Sequence, residues 1–177
     1  MRVYCTFLAA LAAVTLSLTA PAASAAEKDI GKALAVVDHA SAQGQVGKRS
    51  LSVGAPVFLG VHVTTDAKGT AQLLFKDGTR MVVGPNSELV LDAFVFRSAA
   101  PENQVAMRAL SGAFRFITGN ANKDAYLINT PSATMGVRGT EFDIAVTPDE
   151  TSVLLYTGTA AVCGNNAGCT IATGAPE

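Results

Sequence analysis

Short runs in which apolar and polar residues alternate recur along this chain, and residues that favour turns separate them. The run that begins at Thr70 places Ala71, Leu73 and Phe75 on one face and Gln72 on the other, which is the period of a half-buried β-strand. The pattern predicts an all-β fold: a single sandwich, or a barrel-like or double-stranded β-helix-like domain of many short strands. The predicted strands span residues 33–37, 57–59, 61–65, 70–75, 80–83, 89–96, 105–110, 113–117, 126–129, 140–146, 152–156 and 159–163.

The segment 127–146 predicts a strand, a tight turn and a second strand. Thr130 is expected to be extended, because the ring of Pro131 disfavours the helical conformation in the residue before it. Gly136 and Gly139 are expected to form the turn, because glycine adopts positive φ without steric cost. The strand after this turn alternates, with Phe142, Ile144 and Val146 on one face and Glu141, Asp143 and Ala145 on the other.

The first 26 residues have the sequence features of a secretory signal peptide. A positive residue precedes the apolar run 7–18, and small residues occupy positions 23–25. The alternative is a membrane anchor, but the run is shorter than the roughly 20 residues that span a bilayer. We therefore expect export with cleavage near Ala25 or Ala26, no membrane insertion afterwards, and a single domain over residues 27–177.

The charged residues exclude one class of partner. Without Arg2, twelve basic residues stand against 14 acidic ones, a net charge of −2, and both signs are scattered along the chain. A nucleic-acid-binding domain usually carries a basic stripe or patch, and this sequence has none. We therefore expect no nucleic acid among its partners.

Cleavage would remove Cys5 and leave Cys163 and Cys169, which enclose a short loop of turn-forming residues. In an exported protein this arrangement predicts a disulfide across a hairpin. The alternative is a metal site, which would need further ligands. No histidine lies near the two cysteines in sequence, so the disulfide is favoured, and no metal or cofactor is expected.

The segment Thr130–Phe142 resembles a known signature, because it reads T-P-x-A-x-x-G-V-R-G-T-E-F. This string is typical of the ferric-citrate regulator (FecR) family of bacterial periplasmic domains. Two upstream pieces fit the family pattern in the same order: A-x-L-x-F-x-D-G-T at 71–79 and P-x-S-x-L at 85–89. The resemblance covers roughly residues 31–163.

The resemblance implies a non-catalytic sensing or binding module in the periplasm, acting through an envelope or inner-membrane protein in signalling or regulation. Pairing at a sheet edge is the expected mode of contact. The alternative is a structural protein that binds peptidoglycan or surface polysaccharide. The residues that the resemblance marks for interaction are Thr130, Pro131, Gly136, Arg138, Gly139, Thr140 and Glu141.

The chemistry-bearing residues favour binding over catalysis. The two histidines, His39 and His62, are the sole imidazole bases, and no nucleophile motif accompanies them. His62 lies between two valines and is expected to face outward. Arg138, flanked by glycines, has two interpretations: it receives an anion, or it pairs with a nearby carboxylate such as Glu141. Because no catalytic set emerges, we predict that the protein is not an enzyme.

Overall fold

The structure is a computed structural model that describes residues 27–92, 105–119 and 126–175, and every regular element in these ranges is a β-strand. The all-β prediction is therefore confirmed. The strands are β1 (Asp29–Val37), β2 (Ala40–Gly44), β3 (Gly47–Ser50), β4 (Pro56–Phe58), β5 (His62–Thr65), β6 (Thr70–Phe75), β7 (Arg80–Val83), β8 (Glu88–Val90), β9 (Val105–Ile117), β10 (Tyr126–Asn129), β11 (Ala133–Val146), β12 (Thr151–Gly164) and β13 (Cys169–Thr173).

Three long strands, β9, β11 and β12, join all of these elements into one sheet. The first half of β9 pairs with β8 and, in parallel, with β10, whereas its second half pairs with β7 and β11. One arm of the sheet continues from β7 through β6 and β1 to β4. Another arm continues from β8 through β5 and β2 to β3, and β12 carries β13 as its outer neighbour.

A single hydrophobic core lies between the arms, because their inward faces belong to one cluster. Phe116 of β9 is fully buried and contacts Tyr126 and Phe142, with ring centroids 5.0 Å and 5.3 Å away. Phe142, Ile144 and Val146 are all buried, which confirms the predicted apolar face of β11. The long strands therefore bury one face in the core and leave the other face for contact with solvent or partners.

Two pairs of predicted strands are single bent strands. The strands predicted at 105–110 and 113–117 form β9, which bends at Gly112 with φ +104°. Those predicted at 152–156 and 159–163 form β12, which bends at Gly158 with φ +83°. A glycine with positive φ turns the backbone without ending its hydrogen-bonded pairing, so the sequence signal for a turn was misleading here.

The turn predicted at Gly136 and Gly139 is wrong. Both residues lie within β11, and Gly136 does not have a positive φ, whereas Gly139 has φ +57° in a bulge. The turn lies earlier, where the backbone N–H of Thr130 donates to the carbonyl of Ala133 over 2.8 Å. The order of strand, turn and strand is therefore right, and the position of the turn is displaced toward Pro131.

Strands β2, β3 and β13 were not among the predicted strands. Their sequences are short and polar or flank glycine, so they carry little alternation of their own. Of the strand predicted at 89–96, residues 89–90 belong to β8, residues 91–92 follow it without regular structure, and residues 93–96 lie outside the described ranges. The predicted signal peptide, residues 1–26, also lies outside them. Within those ranges no helix has the length and apolarity to cross a membrane.

Candidate functional site

A polar cleft of about 720 Å³ opens where β9 ends and where β11 and β12 bend together. Four short segments line it: 117–119, 138–141, 157–159 and 173–175. The second segment is the centre of the signature, and Arg138 and Gly139 within it are exposed. The described structure therefore presents part of the signature at the mouth of an open polar depression.

Two facing glycines shape this cleft. Gly139 in β11 and Gly158 in β12 both have positive φ, and the register between the two strands shifts next to them. A Cβ atom added at Gly158 would lie 2.0 Å from the carbonyl oxygen of Gly139, closer than any real contact. The two backbones thus approach one another in a way that only glycine permits. The bulge redirects both strands and creates the depression.

The side of the cleft formed by residues 117–119 is held in place by Thr118, which follows β9. Its backbone N–H and its hydroxyl both donate to the carbonyl of Thr140, over 3.0 Å and 2.8 Å, and the Thr140 N–H lies 2.5 Å from that hydroxyl. The side chain of Thr140 is buried, and its hydroxyl has no hydrogen-bond partner among the described residues. The bulged backbone of β11 is therefore clamped to the end of β9.

A second network of hydrogen bonds connects the β6–β7 turn to the residues that follow β9. The Asp77 carboxylate accepts from the Thr79 N–H over 3.0 Å, from the Thr79 hydroxyl over 2.9 Å, and from the Tyr126 hydroxyl. Thr79 in turn accepts from the N–H of Gly119 over 2.9 Å. Burial raises the pKa of Tyr126, and the bond to Asp77 adds to that rise, so this hydroxyl remains a donor. The Asp-Gly-Thr piece of the sequence thus supports the cleft from beneath.

The predicted interaction residues divide into three groups. Arg138, Gly139, Thr140 and Glu141 line the cleft together. Gly136 lies two residues away, on the outer face of β11.

Thr130 and Pro131 form the turn before β11 instead. There the hydroxyl of Thr130 contacts that of Thr151 at 2.7 Å, and the side-chain amide of Asn165 donates to the carbonyl of Pro131 over 2.6 Å. The structure therefore gives these two residues a local role that joins the turn to the β12–β13 hairpin.

Sequence reasoning missed a polar cluster on the outer face of β9, β11 and β12. Arg115 donates twice to Asp143, over 2.6 Å and 2.7 Å, and Tyr156 donates to the same carboxylate over 2.8 Å. The Arg115 guanidinium also lies 5.1 Å above the Tyr156 ring. A shallow depression of about 380 Å³ beside it is lined by small residues such as Ala113 and Ala145. Only strand register could have revealed this cluster.

The opposite charges of Arg115 and Asp143 neutralise each other within this cluster. The hydrogen bonds from Arg115 hold the pKa of Asp143 below its usual value, and the same contact raises the pKa of Arg115. The contact with Asp143 raises the pKa of Tyr156. Carboxylate, guanidinium and phenol are therefore fixed in their ordinary protonation states at neutral pH, which suits a clamp across three strands better than proton transfer.

Histidines and metal-ligating groups do not converge on the cleft. His62 is part-exposed, as predicted, and its Nε2 lies 2.7 Å from a carboxylate oxygen of Glu88. His39 is exposed beside β2. Across the described ranges no group of three or more His, Cys, Asp or Glu residues could hold a metal ion. The chemistry that the cleft can perform is thus hydrogen bonding and ion pairing.

The predicted disulfide joins Cys163 and Cys169. The two residues face each other directly in the β12–β13 pairing. The bond therefore closes the hairpin whose far end, around Gly174, lines the cleft. There the N–H of Gly174 donates to the carbonyl of Gly158 over 2.9 Å. The bond and the bulge thus lie at opposite ends of one hairpin.

The described structure defines an all-β domain with a signature-lined polar cleft, and the comparisons place it in a family. A family model described as FecR protein matches residues 61–161, which is more than half of the chain. The chain belongs to the FecR protein family. No curated protein matches its sequence.

Solved structures share the fold. Two crystal structures of a candidate anti-sigma factor from Parabacteroides distasonis ATCC 8503, at 2.50 Å and 1.65 Å, superpose with TM-scores of 0.52 and 0.50. Each is 13% identical in sequence, and each match covers 64% of this chain and 51% of the crystallised chain. This chain thus spans about half the length of those proteins. At such low identity the likeness establishes the architecture alone.

Proposed function

We infer that this chain is a non-catalytic sensing or binding module of the bacterial periplasm, which acts through a partner protein in envelope signalling or regulation. Family membership supports the regulatory class, since the match spans residues 61–161. The observation that carries the proposal is the position of the signature. Its residues 138–141 form one wall of an open cleft, although their neighbours in β11 are core residues.

The composition of the cleft favours a polypeptide as the bound group. Its walls expose backbone and threonine groups, together with one guanidinium at Arg138 and one carboxylate at Glu141. Such a surface offers hydrogen-bonding and charged groups beside apolar groups, a mixture that resembles a protein–protein contact. A partner segment with polar side chains and free backbone groups satisfies these requirements.

The test is site-specific capture in the native envelope. A photo-reactive residue at Thr159, which is exposed and lines the cleft, should capture an envelope or inner-membrane protein that mass spectrometry identifies. The same residue at Val53, which is 67% exposed and lies between β3 and β4, is the matched control and should capture nothing specific. Replacing Glu141 by Gln should lower the yield at position 159.

Two outcomes would overturn the proposal. Recovery of peptidoglycan or polysaccharide fragments alone would support the alternative of a structural, polymer-binding envelope protein. Equal capture from positions 159 and 53 would mean that the cleft has no specific partner. Export is tested separately, since the intact mass of the protein recovered from the periplasm should correspond to a chain that begins near residue 26 or 27.

A further inference from the structure

Strand β13 forms an edge of the sheet, and in the described ranges it pairs with β12 alone. Its sequence, Cys-Thr-Ile-Ala-Thr, contains no charged residue and no proline. Ile171 at its centre is 72% exposed. An uncharged edge with an exposed β-branched residue is the type of strand that pairs with another chain.

Two other edge strands, β3 and β4, carry features that oppose such pairing. Strand β3 contains Lys48 and Arg49. Strand β4 begins at Pro56, whose carbonyl accepts a hydrogen bond from the Arg49 side chain over 2.5 Å, and the same guanidinium lies 5.4 Å from the Phe58 ring. Charged residues and proline are common means of protecting an edge. Residues 151–156 of β12, which pair with β11 alone in the described ranges, also lack charge and proline. β13 differs from them in the greater exposure of its apolar residue, since Ile171 is 72% exposed and Leu154 is 59% exposed.

The free backbone groups of β13 follow from its pairing with β12. Hydrogen-bonded and non-hydrogen-bonded pairs alternate along an antiparallel pair of strands. The N–H of Gly174 donates a hydrogen bond to the carbonyl of Gly158, in register with the β12–β13 pairing. Counting back by two residues, Ala172 and Thr170 also direct their backbone groups toward β12. The intervening residues Cys169, Ile171 and Thr173 therefore direct their N–H and C=O groups outward.

An apolar row crosses the outer face of the sheet and ends at this edge. Successive strand pairings place Ala106, Leu127, Gly136, Ala161 and Ile171 side by side from β9 to β13. A Cβ atom added at Gly136 would contact nothing within 4 Å, and this glycine lacks a positive φ. Neither crowding nor backbone conformation among the described residues therefore requires glycine there, so the row is open to solvent at this position.

We propose that β13 pairs in antiparallel fashion with β13 of a second copy of this chain, about a two-fold axis at Ile171. The outward groups then match: Ile171 faces Ile171 of the second copy, and Cys169 faces Thr173 of the second copy in hydrogen-bonded pairs. No like charges meet, because the strand has none. The apolar row continues across the axis, and such a self-complementary contact closes as a dimer.

The test is the size of the purified protein, with its disulfide intact, over a concentration series up to about 1 mM. Sedimentation should show a dimer. The variant Ile171→Asp places two carboxylates together at the axis, and the dimer dissociation constant should rise at least about tenfold. Ile171→Thr keeps β-branching but removes the apolar contact, so it should weaken the dimer even if the aspartate variant misfolds. The matched control, Val46→Asp, changes a residue that is 88% exposed in the β2–β3 turn and should leave the dimer intact.

A photo-reactive residue at position 171 should also give a covalent dimer in the envelope, whereas one at position 46 should not. A monomer at every concentration, or a dimer that both Ile171 variants leave unchanged, would overturn the proposal. So would capture of a different protein at position 171 in place of a second copy. Thr173 pairs across the proposed axis and also lines the cleft, so the identity of the captured protein distinguishes the two experiments: position 171 should capture a second copy, and position 159 an envelope protein.

Discussion

Substitution of alanine for Gly158 tests the inference that two glycines allow β11 and β12 to approach at the cleft. The added Cβ would meet the Gly139 carbonyl oxygen at 2.0 Å and the Thr140 Cα at 3.0 Å, and the residue would have to keep φ +83°. The first of these groups is backbone within a paired strand, so it cannot turn away as a side chain would. Relief of the contact requires the strands to separate at the bulge.

The expected loss of stability in Gly158→Ala has two parts, the cost of a positive φ and the cost of the steric clash. Alanine substitutions at two other glycines measure these parts separately. Gly54 has φ +81° with nothing within 4 Å of an added Cβ, so Gly54→Ala should cost only the conformational part, about 1–2 kcal/mol. Gly136 has neither feature, so Gly136→Ala should be neutral or stabilise by about 0.5–1 kcal/mol. Gly158→Ala carries the clash in addition and should cost about 4 kcal/mol or more.

Equilibrium unfolding in urea measures all three variants under one set of conditions, with the free energy of unfolding taken from the midpoint and the slope. The expected order of stability is Gly136→Ala, then the unmodified protein, then Gly54→Ala, and last Gly158→Ala. A Gly158→Ala variant that loses no more stability than Gly54→Ala would refute the close approach. A strongly destabilised Gly136→Ala variant would refute the open outer face.

Three further predictions concern the disulfide and the two polar networks. Reduction of Cys163–Cys169 should lower the free energy of unfolding by about 2 kcal/mol, measured in urea with and without reductant, and a double serine variant should not respond to reductant. Tyr126→Phe should cost about 1–3 kcal/mol because it removes a buried donor to the Asp77 carboxylate, and a cost no greater than that of the more exposed Tyr156→Phe would contradict the network. Asp143→Asn should cost about 0.2–1 kcal/mol at neutral pH. Because the folded-state pKa of Asp143 is lowered, its contribution is fully present above its unfolded pKa near 3.9 and is lost as pH falls through the folded value. Thermal unfolding at pH 7 and below pH 4 should show that difference shrinking in acid, and an equal response from Asp149→Asn in the exposed Pro148–Glu150 turn would refute the assignment.

The sequence by itself determined the secondary-structure class, the disulfide and the family. Alternating runs such as 70–75 and 142–146 carry a period of two, and that period depends only on strand geometry, not on which strands are neighbours. Cys163 and Cys169 are close along the chain, so their pairing needed no knowledge of the fold. The signature string was also continuous in sequence, and the family match includes it.

Only the tertiary structure decided where the strands bend and which surfaces result. A glycine signals local freedom, and that freedom ends a strand or bends it depending on whether a neighbouring strand continues the pairing across it. At Gly112 and Gly158 the pairing continues, so the predicted turns became bends. At Gly136 the strand continues without a bend.

The polar surfaces could not be predicted from the sequence, for a related reason. Arg115, Asp143 and Tyr156 are far apart along the chain, and only the register of β9, β11 and β12 brings them together. The cleft likewise combines signature residues with the ends of β9 and β13, and the apolar row at Ile171 takes one residue from each of five strands. Register depends on the packing of the whole core, because a shift by one residue would expose every buried side chain of a strand. No local pattern in the sequence contains that information.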